Sequence, residues 1–157
     1  MKVNSTEIKN LEPIKTIAIS HIGDYAEIGT TFDKLAVWAG ANNLFAANPK
    51  IIGVYHDDPT NTPTEKLRSE ACVENISNLE PGEGMKHYTI SGGKYFVMQV
   101  VVTMAECYNA WMKVYEVIEE KKYECDMRDH YELYVSCEGD LQDPNAPWIV
   151  DLCIPIK

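Results

Sequence analysis

The chain is short of the groups that many chemistries require. Among its 157 residues are 14 Lys and Arg against 24 Asp and Glu, a formal charge of −10. Lys121-Lys122, its one adjacent basic pair, follows Glu119-Glu120. No basic stripe is present to grip a phosphate backbone, which excludes direct nucleic-acid binding as an expectation. The acidity either keeps the protein soluble or mildly favours a cationic ligand. No segment approaches the ~18 apolar residues of a membrane-spanning helix. Met1-Lys2-Val3-Asn4-Ser5-Thr6-Glu7 has no apolar run of a secretory leader, so the expected location is the cytoplasm. Cys72, Cys107, Cys125, Cys137 and Cys153 form no C-x-x-C pair and are odd in number, which reads as reduced, structural cysteine.

Other absences narrow the chemistry further. His21, His56, His87 and His130 are dispersed, and none has a Cys or His partner at zinc spacing, so neither a metal site nor a cofactor is expected. Gly92-Gly93 is too short for a phosphate-cradling loop and leads into a strand. His56-Asp57-Asp58, ending at Pro59, reads as a solvated acidic turn rather than a cation site. A Ser or Cys nucleophile cannot be argued, because no Cys has a nearby His with a nameable role. Residues 1–12 are polar and read as a lead-in before Pro13, too short for a helix-turn-helix.

What the chain does have is a unit written twice. Ile17 to Tyr55 reads strand, turn, helix, strand, and Phe96 to Tyr134 repeats it 79 residues later. Ile28, Phe32, Leu35 and Ala39 make one helical stripe; Cys107, Trp111, Val114 and Ile118 make the other. Tyr55 maps onto Tyr134. A further strand follows each unit, Arg68 to Val73 and, 81 residues later, Ile149 to Ile154. Gly23-Asp24 and Gly40 with Asn42-Asn43 bracket the first helix. Ile14 to Ile22 alternates as a half-buried strand, with Ile17 and Ile19 on one face and Thr16, Ala18 and Ser20 on the other. Tyr95 to Val102 is almost continuously apolar, as in a strand covered on both faces. Strands are also expected over 49–57, 67–75, 87–90, 131–136 and 148–155, and the second helix over 104–122. The fold class is therefore α+β: a largely antiparallel sheet with helices on one face. Residues 13–157 are expected to form one domain of two repeats, about 14–91 and 92–157, with a groove at their pseudo-twofold seam.

Specific strings accumulate in order along this frame. They are His21-Ile22-Gly23-Asp24-Tyr25, Gly53 to Pro59 followed by Leu67 to Val73, Gly92-Gly93-Lys94-Tyr95, Tyr131-Glu132-Leu133-Tyr134, and Asp151 to Lys157. Together they resemble the GyrI-like small-molecule-binding domain. That domain is the effector-binding part of AraC- and MerR-type transcription activators and stands alone in DNA gyrase inhibitor proteins. The resemblance implies two strand-helix-strand-strand units and a ligand-binding glutamate in a Tyr-Glu-x-Tyr strand, here Glu132. It also implies a lipophilic, aromatic or cationic ligand, with aromatic rings stacked around the carboxylate. An alternative it carries is hydrolysis of cyclopropane-containing electrophiles by Glu132 and a groove tyrosine such as Tyr134. Another is a protein partner, either DNA gyrase or a regulator.

The residues themselves leave some choices open. From the strand pattern alone, Glu132 faces solvent or the groove, together with Tyr134 and Ser136. Trp111, Tyr108 and Tyr115 are core packing or groove lining. Tyr55 and Tyr134 occupy matching sites in the two copies, Trp148 is a lid or an edge plug, and Tyr25 with His21 flanks the turn into the first helix. The candidate ligand-binding set is therefore Glu132, Trp111, Tyr108, Tyr115, Tyr55, Tyr134, Tyr25 and Trp148.

Overall fold

A computed structural model describes residues 1–157. In chain order it contains β1 Lys2–Leu11, β2 Ile14–Ile22, α1 Ile28–Ala41, β3 Ile51–Tyr55, β4 Arg68–Glu74, β5 Lys86–Ile90, β6 Gly93–Val102, α2 Cys107–Glu120, β7 His130–Cys137 and β8 Trp148–Pro155. The class is α+β, with every named strand pair antiparallel. The chain divides into two compact units. One is Pro13–Ser91; the other is Met1–Glu12 with Gly92–Lys157.

The Pro13–Ser91 unit orders its strands β3-β4-β2-β5. Asp24 opens the helical segment by accepting from the Ala26 N–H at 3.0 Å, satisfying a donor that the first turn leaves unpaired. A short 3₁₀ turn over Tyr25–Glu27 then feeds α1. The stripe of α1 buries Ile28, Leu35 and Ala39, and Leu35 and Ala39 pack on Ile17, Ala71 and Val73, with Phe32 partly buried beside them. Burying a side chain the size of Ile28 or Leu35 contributes roughly 1.5–3 kcal/mol by leaving water. The chain leaves α1 through Asn43 and Asn48, both in the left-handed region that Asn tolerates. In β2 both faces are covered through the middle: Thr16, Ile17 and Ala18 are all buried. The half-buried expectation fails there because Thr16 and Ala18 are small, and their side chains read as polar or neutral although that face is also packed.

The other unit orders its strands β7-β8-β6-β1. A Thr103–Glu106 capping box starts the segment leading into α2. Val114, Ile118 and Ala110 of α2 pack on Phe96, Met98, Val100 and Val102 of β6 and on Val150, Leu152 and Ile154 of β8. Tyr95 and Val97 are buried as well, so β6 is covered on both faces over Tyr95–Met98. Arg128 clamps the strand ends. Its guanidinium donates to the carbonyls of Gly92 (2.7 Å), Lys94 (2.8 Å) and Ile156 (3.0 Å) and to Asp126. Gly93, at φ 118°, has no Cβ that would stand 2.5 Å from Arg128 Nη1, so the turn and the clamp both require glycine.

The segment expected to be a lead-in is a ten-residue strand. β1 pairs with β6 from Lys2↔Val101 to Leu11↔Gly93, with a bulge between Val3 and Ser5. All its residues but Leu11 are exposed, so the ladder of backbone bonds holds it rather than a buried face. Register shows what it is. Ile14 pairs with Ile90 as Gly93 pairs with Leu11; Gly93 and Ile14 are 79 residues apart, and so are Ile90 and Leu11. Tyr55 lies opposite Ser69 as Tyr134 lies opposite Val150. The copies in chain order are thus β1-β2-α1-β3-β4 and β5-β6-α2-β7-β8. Each compact unit holds the first strand of the other copy.

Candidate functional site

Alternate residues of a strand share a face, which puts His130, Glu132 and Tyr134 of β7 together. Residues four apart on a helix also share a face, which aligns Trp111 and Tyr115 of α2. The two rows meet. Trp111 Nε1 donates to Glu132 Oε2 at 3.0 Å, and the Tyr134 hydroxyl donates to Glu132 Oε1 in a very short contact. One step along, Tyr115 Oη and His130 Nδ1 lie 2.7 Å apart, and His130 Nε2 lies 3.3 Å from the Asp126 carbonyl. Ring centroids continue the row: Trp111–Tyr115 at 5.9 Å, Tyr115–His130 at 6.0 Å and Tyr134–Trp148 at 5.9 Å. Such separations suit aromatic contact.

Glu132 is 3% exposed. A carboxylate out of water is costly unless it is hydrogen-bonded or paired. Both bonds named above come from neutral groups, so neither cancels its charge. Burial pushes the neighbouring Cys107 thiol up to about 12, and the charge of Glu132 adds to that rise. Burial also pushes the His130 imidazole below its ordinary value, against the opposing pull of the Asp126 carbonyl and the Asp129 carboxylate.

The expected site residues separate into groups. Glu132, Trp111, Tyr134, Tyr115 and Trp148 come together in one row of one unit. Tyr108 lies on the outer flank of α2 and is 55% exposed, alongside the exposed Met112. Tyr25 and Tyr55 belong to the Pro13–Ser91 unit, where their rings meet edge-on at 4.8 Å. The Tyr25 hydroxyl donates toward the carbonyls of Asp57 (2.8 Å) and Arg68 (3.1 Å) and accepts from the Asp57 N–H (2.9 Å). Burial lifts that phenol to about 12, so it ties β3 to β4 as a neutral group. His21 closes the entry to α1, bonding the Asp24 carbonyl and Thr31.

His130 was weighed in the sequence only as a metal ligand. The signal that reveals it is its place two residues before Glu132, on the same face of the same strand. The duplication sharpens the contrast. Shifted back by 79 residues, Trp111, Tyr115, His130 and Glu132 fall on Phe32, Ala36, Ile51 and Gly53. The Tyr55 hydroxyl stands 3.0 Å from where a Cβ on Gly53 would be, as Tyr134 reaches the side chain of Glu132. One copy keeps the tyrosine and lacks the carboxylate.

The model of the GyrI-like small molecule binding domain matches residues 5–157. The chain belongs to this family. A DNA gyrase inhibitor of Escherichia fergusonii is 28% identical over 156 residues, covering 96% of each chain. The C-terminal domain of EcmrR superposes with a TM-score of 0.75 at 14% identity, covering 100% of this chain and 99% of that one. SAV2435, solved bound to tetraphenylphosphonium, gives a TM-score of 0.59 at 13% identity, covering 98% of this chain and 94% of that one. The two structures establish a shared fold. No helix of this GyrI-like chain is long and apolar enough to cross a membrane.

Proposed function

We propose that this GyrI-like protein captures a lipophilic, aromatic or cationic small molecule at the Glu132 row of the unit formed by residues 1–12 and 92–157. The observation that carries the reading is Glu132 itself: a buried carboxylate held by an indole and a phenol, its charge uncancelled by either, among Trp111, Tyr134 and Trp148. Trp111 and Tyr134 are only partly buried, which leaves room for a cation to approach over a ring face. The tetraphenylphosphonium bound by SAV2435 is a molecule of this class.

The test is a titration of tetraphenylphosphonium into wild type and Glu132→Gln by calorimetry. Micromolar binding, about −8 kcal/mol, is expected for wild type. A unit charge about 6 Å from the carboxylate, at an effective dielectric near 20, gains about 3 kcal/mol. The variant should therefore bind some 30- to 150-fold more weakly. Equal affinity in a folded variant would remove Glu132 from the site. Mass spectrometry of a cyclopropane-bearing electrophile incubated with the protein separates capture from hydrolysis, because turnover adds the mass of one water. The naming of relatives as DNA gyrase inhibitors favours a second reading, a direct contact with DNA gyrase. Under it, inhibition of supercoiling survives Glu132→Gln.

A further inference from the structure

Tyr115 and His130 sit one step from Glu132 along the same helix–strand row, and their bond fixes which way the phenol points. A carbonyl can only accept, so His130 Nε2 carries the proton that reaches the Asp126 carbonyl. In the neutral ring, Nδ1 is then the acceptor, and the Tyr115 hydroxyl donates its single proton to it at 2.7 Å. The Tyr115 oxygen is left with acceptor character only. Tyr115 is 39% exposed, within reach of a ligand that lies on Trp111. The Glu132 carboxylate and the Tyr115 oxygen thus present two acceptors along one row, the first held by Trp111 and Tyr134 and the second by His130.

We propose that Tyr115 and His130 are specificity-determining: the row selects, among lipophilic cations, those carrying an N–H donor beside the cationic centre, such as aminoaryl cations and amidines, over fully alkylated ones. Tyr115 is the contact residue. His130 is a positioning residue that acts through it. This rests on the proposed capture of cations at Glu132 and adds which cations are preferred. The matching positions of the first copy, Ala36 and Ile51, can form no such pair.

The experiment uses two planar fluorescent cations that differ in this feature: proflavine, with two aromatic amines and a protonated ring nitrogen, and acridine orange methylated on its ring nitrogen as well, with the same ring system and no N–H. Binding is measured by fluorescence anisotropy on wild type, on Glu132→Gln and on three variants of the pair, with folding checked by circular dichroism. Tyr115→Phe should weaken proflavine about 3- to 10-fold, the loss of one hydrogen bond, and change acridine orange less than 2-fold. Comparing the two dyes across the substitution cancels their difference in bulk. His130→Phe should shrink the proflavine preference similarly, while His130→Asn, whose side-chain oxygen takes the place of Nδ1, should keep it.

A pH profile distinguishes positioning from packing. The groups acting on His130 are the Tyr115 hydroxyl from α2, the Asp126 carbonyl from the preceding loop and the Asp129 carboxylate beside it, and Glu132 is the next titratable residue on its face of β7. Once protonated, Nδ1 donates to the Tyr115 oxygen and turns the phenol proton outward. The proflavine preference should therefore hold near neutral pH, fall only as pH drops below the ordinary imidazole value of 6.5 in wild type, and stay level in His130→Asn. Both dyes binding through Glu132 but losing equally in Tyr115→Phe would overturn the selectivity and leave cation capture standing. Neither dye binding wild type would overturn both.

Discussion

The Trp111–Glu132 bond can be isolated by a double-mutant cycle. Trp111→Phe keeps an aromatic body in place but deletes the indole N–H that donates to the buried carboxylate at 3.0 Å. A hydrogen bond to a charged group contributes about 1.5–3 kcal/mol, and the smaller ring adds about 1 kcal/mol of lost packing where Trp111 meets the core. The single substitution should cost about 3 kcal/mol. Glu132→Gln is different. Its amide oxygen can still accept from Trp111, and its NH₂ can donate to a Tyr134 hydroxyl that reverses its role, so both partners stay bonded. The buried charge and its desolvation cost disappear, and the variant should lie within about 1 kcal/mol of wild type. In that background the bond to Trp111 is neutral and weaker, near 1 kcal/mol. Trp111→Phe should then cost about 1–2 kcal/mol less than it does beside Glu132. The assay is urea unfolding of the four proteins followed by far-ultraviolet circular dichroism, with equal m-values as the control for an unchanged unfolded state. A coupling below about 0.3 kcal/mol would mean that the two side chains act independently and that the carboxylate is held by something else.

Two further outcomes test the frame that carries the site. Along an edge strand, backbone N–H groups point alternately toward the neighbouring strand and away from it. Of Ile8→Pro and Lys9→Pro, one should therefore break the β1–β6 ladder and cost about 3 kcal/mol in urea unfolding while the other costs under about 1, and two neutral results would refute the pairing. Burial pushes the Glu70 carboxyl up, but bonds from His56 (3.3 Å), Ser20 (2.8 Å) and Lys86 (3.0 Å) outweigh it and hold the group below its ordinary 4.5. Stability from Glu70 is thus present above about pH 4.5 and lost as pH falls through the lower folded value. Glu70→Gln should flatten the acid limb of the unfolding profile, and an unchanged limb would assign that loss elsewhere.

Legibility in the sequence followed burial. The α1 and α2 stripes were readable because Leu35, Ala39, Val114 and Ile118 are buried at helical spacing. The strand over Trp148–Pro155 was readable to the residue because one face packs on α2 and Pro147 precedes it. β1 carried no such signal. Its side chains face water on both sides, so Lys2 to Leu11 shows neither alternation nor an apolar run, and only backbone pairing makes it a strand. Within the site, the Tyr-Glu-x-Tyr string pointed to Glu132 and Tyr134, and the helical stripe pointed to Trp111. The bond between Tyr115 and His130 was not legible, because it depends on how far along β7 the end of α2 reaches. For Tyr25 the sequence shows an aromatic beside a turn, and the bonds of its hydroxyl to the backbone of Asp57 and Arg68 were not legible because they join distant segments.

The two copies make an internal comparison that no single strand could supply. Strand order, register and the tyrosine at Tyr55 and Tyr134 are kept in both, so these serve the fold. Four positions differ in kind. Phe32, Ala36, Ile51 and Gly53 in one copy can hold no charge and form no side-chain hydrogen bond. Trp111, Tyr115, His130 and Glu132 in the other supply two donors, a titratable acceptor and a carboxylate. A purely structural need for a glutamate at this strand position would have applied to both copies, and the other buried glutamate, Glu70, is paired with Lys86 and His56. The presence of Glu132 in one copy, at the cost of burying a charge, is what an anchor for a ligand requires and what packing alone does not.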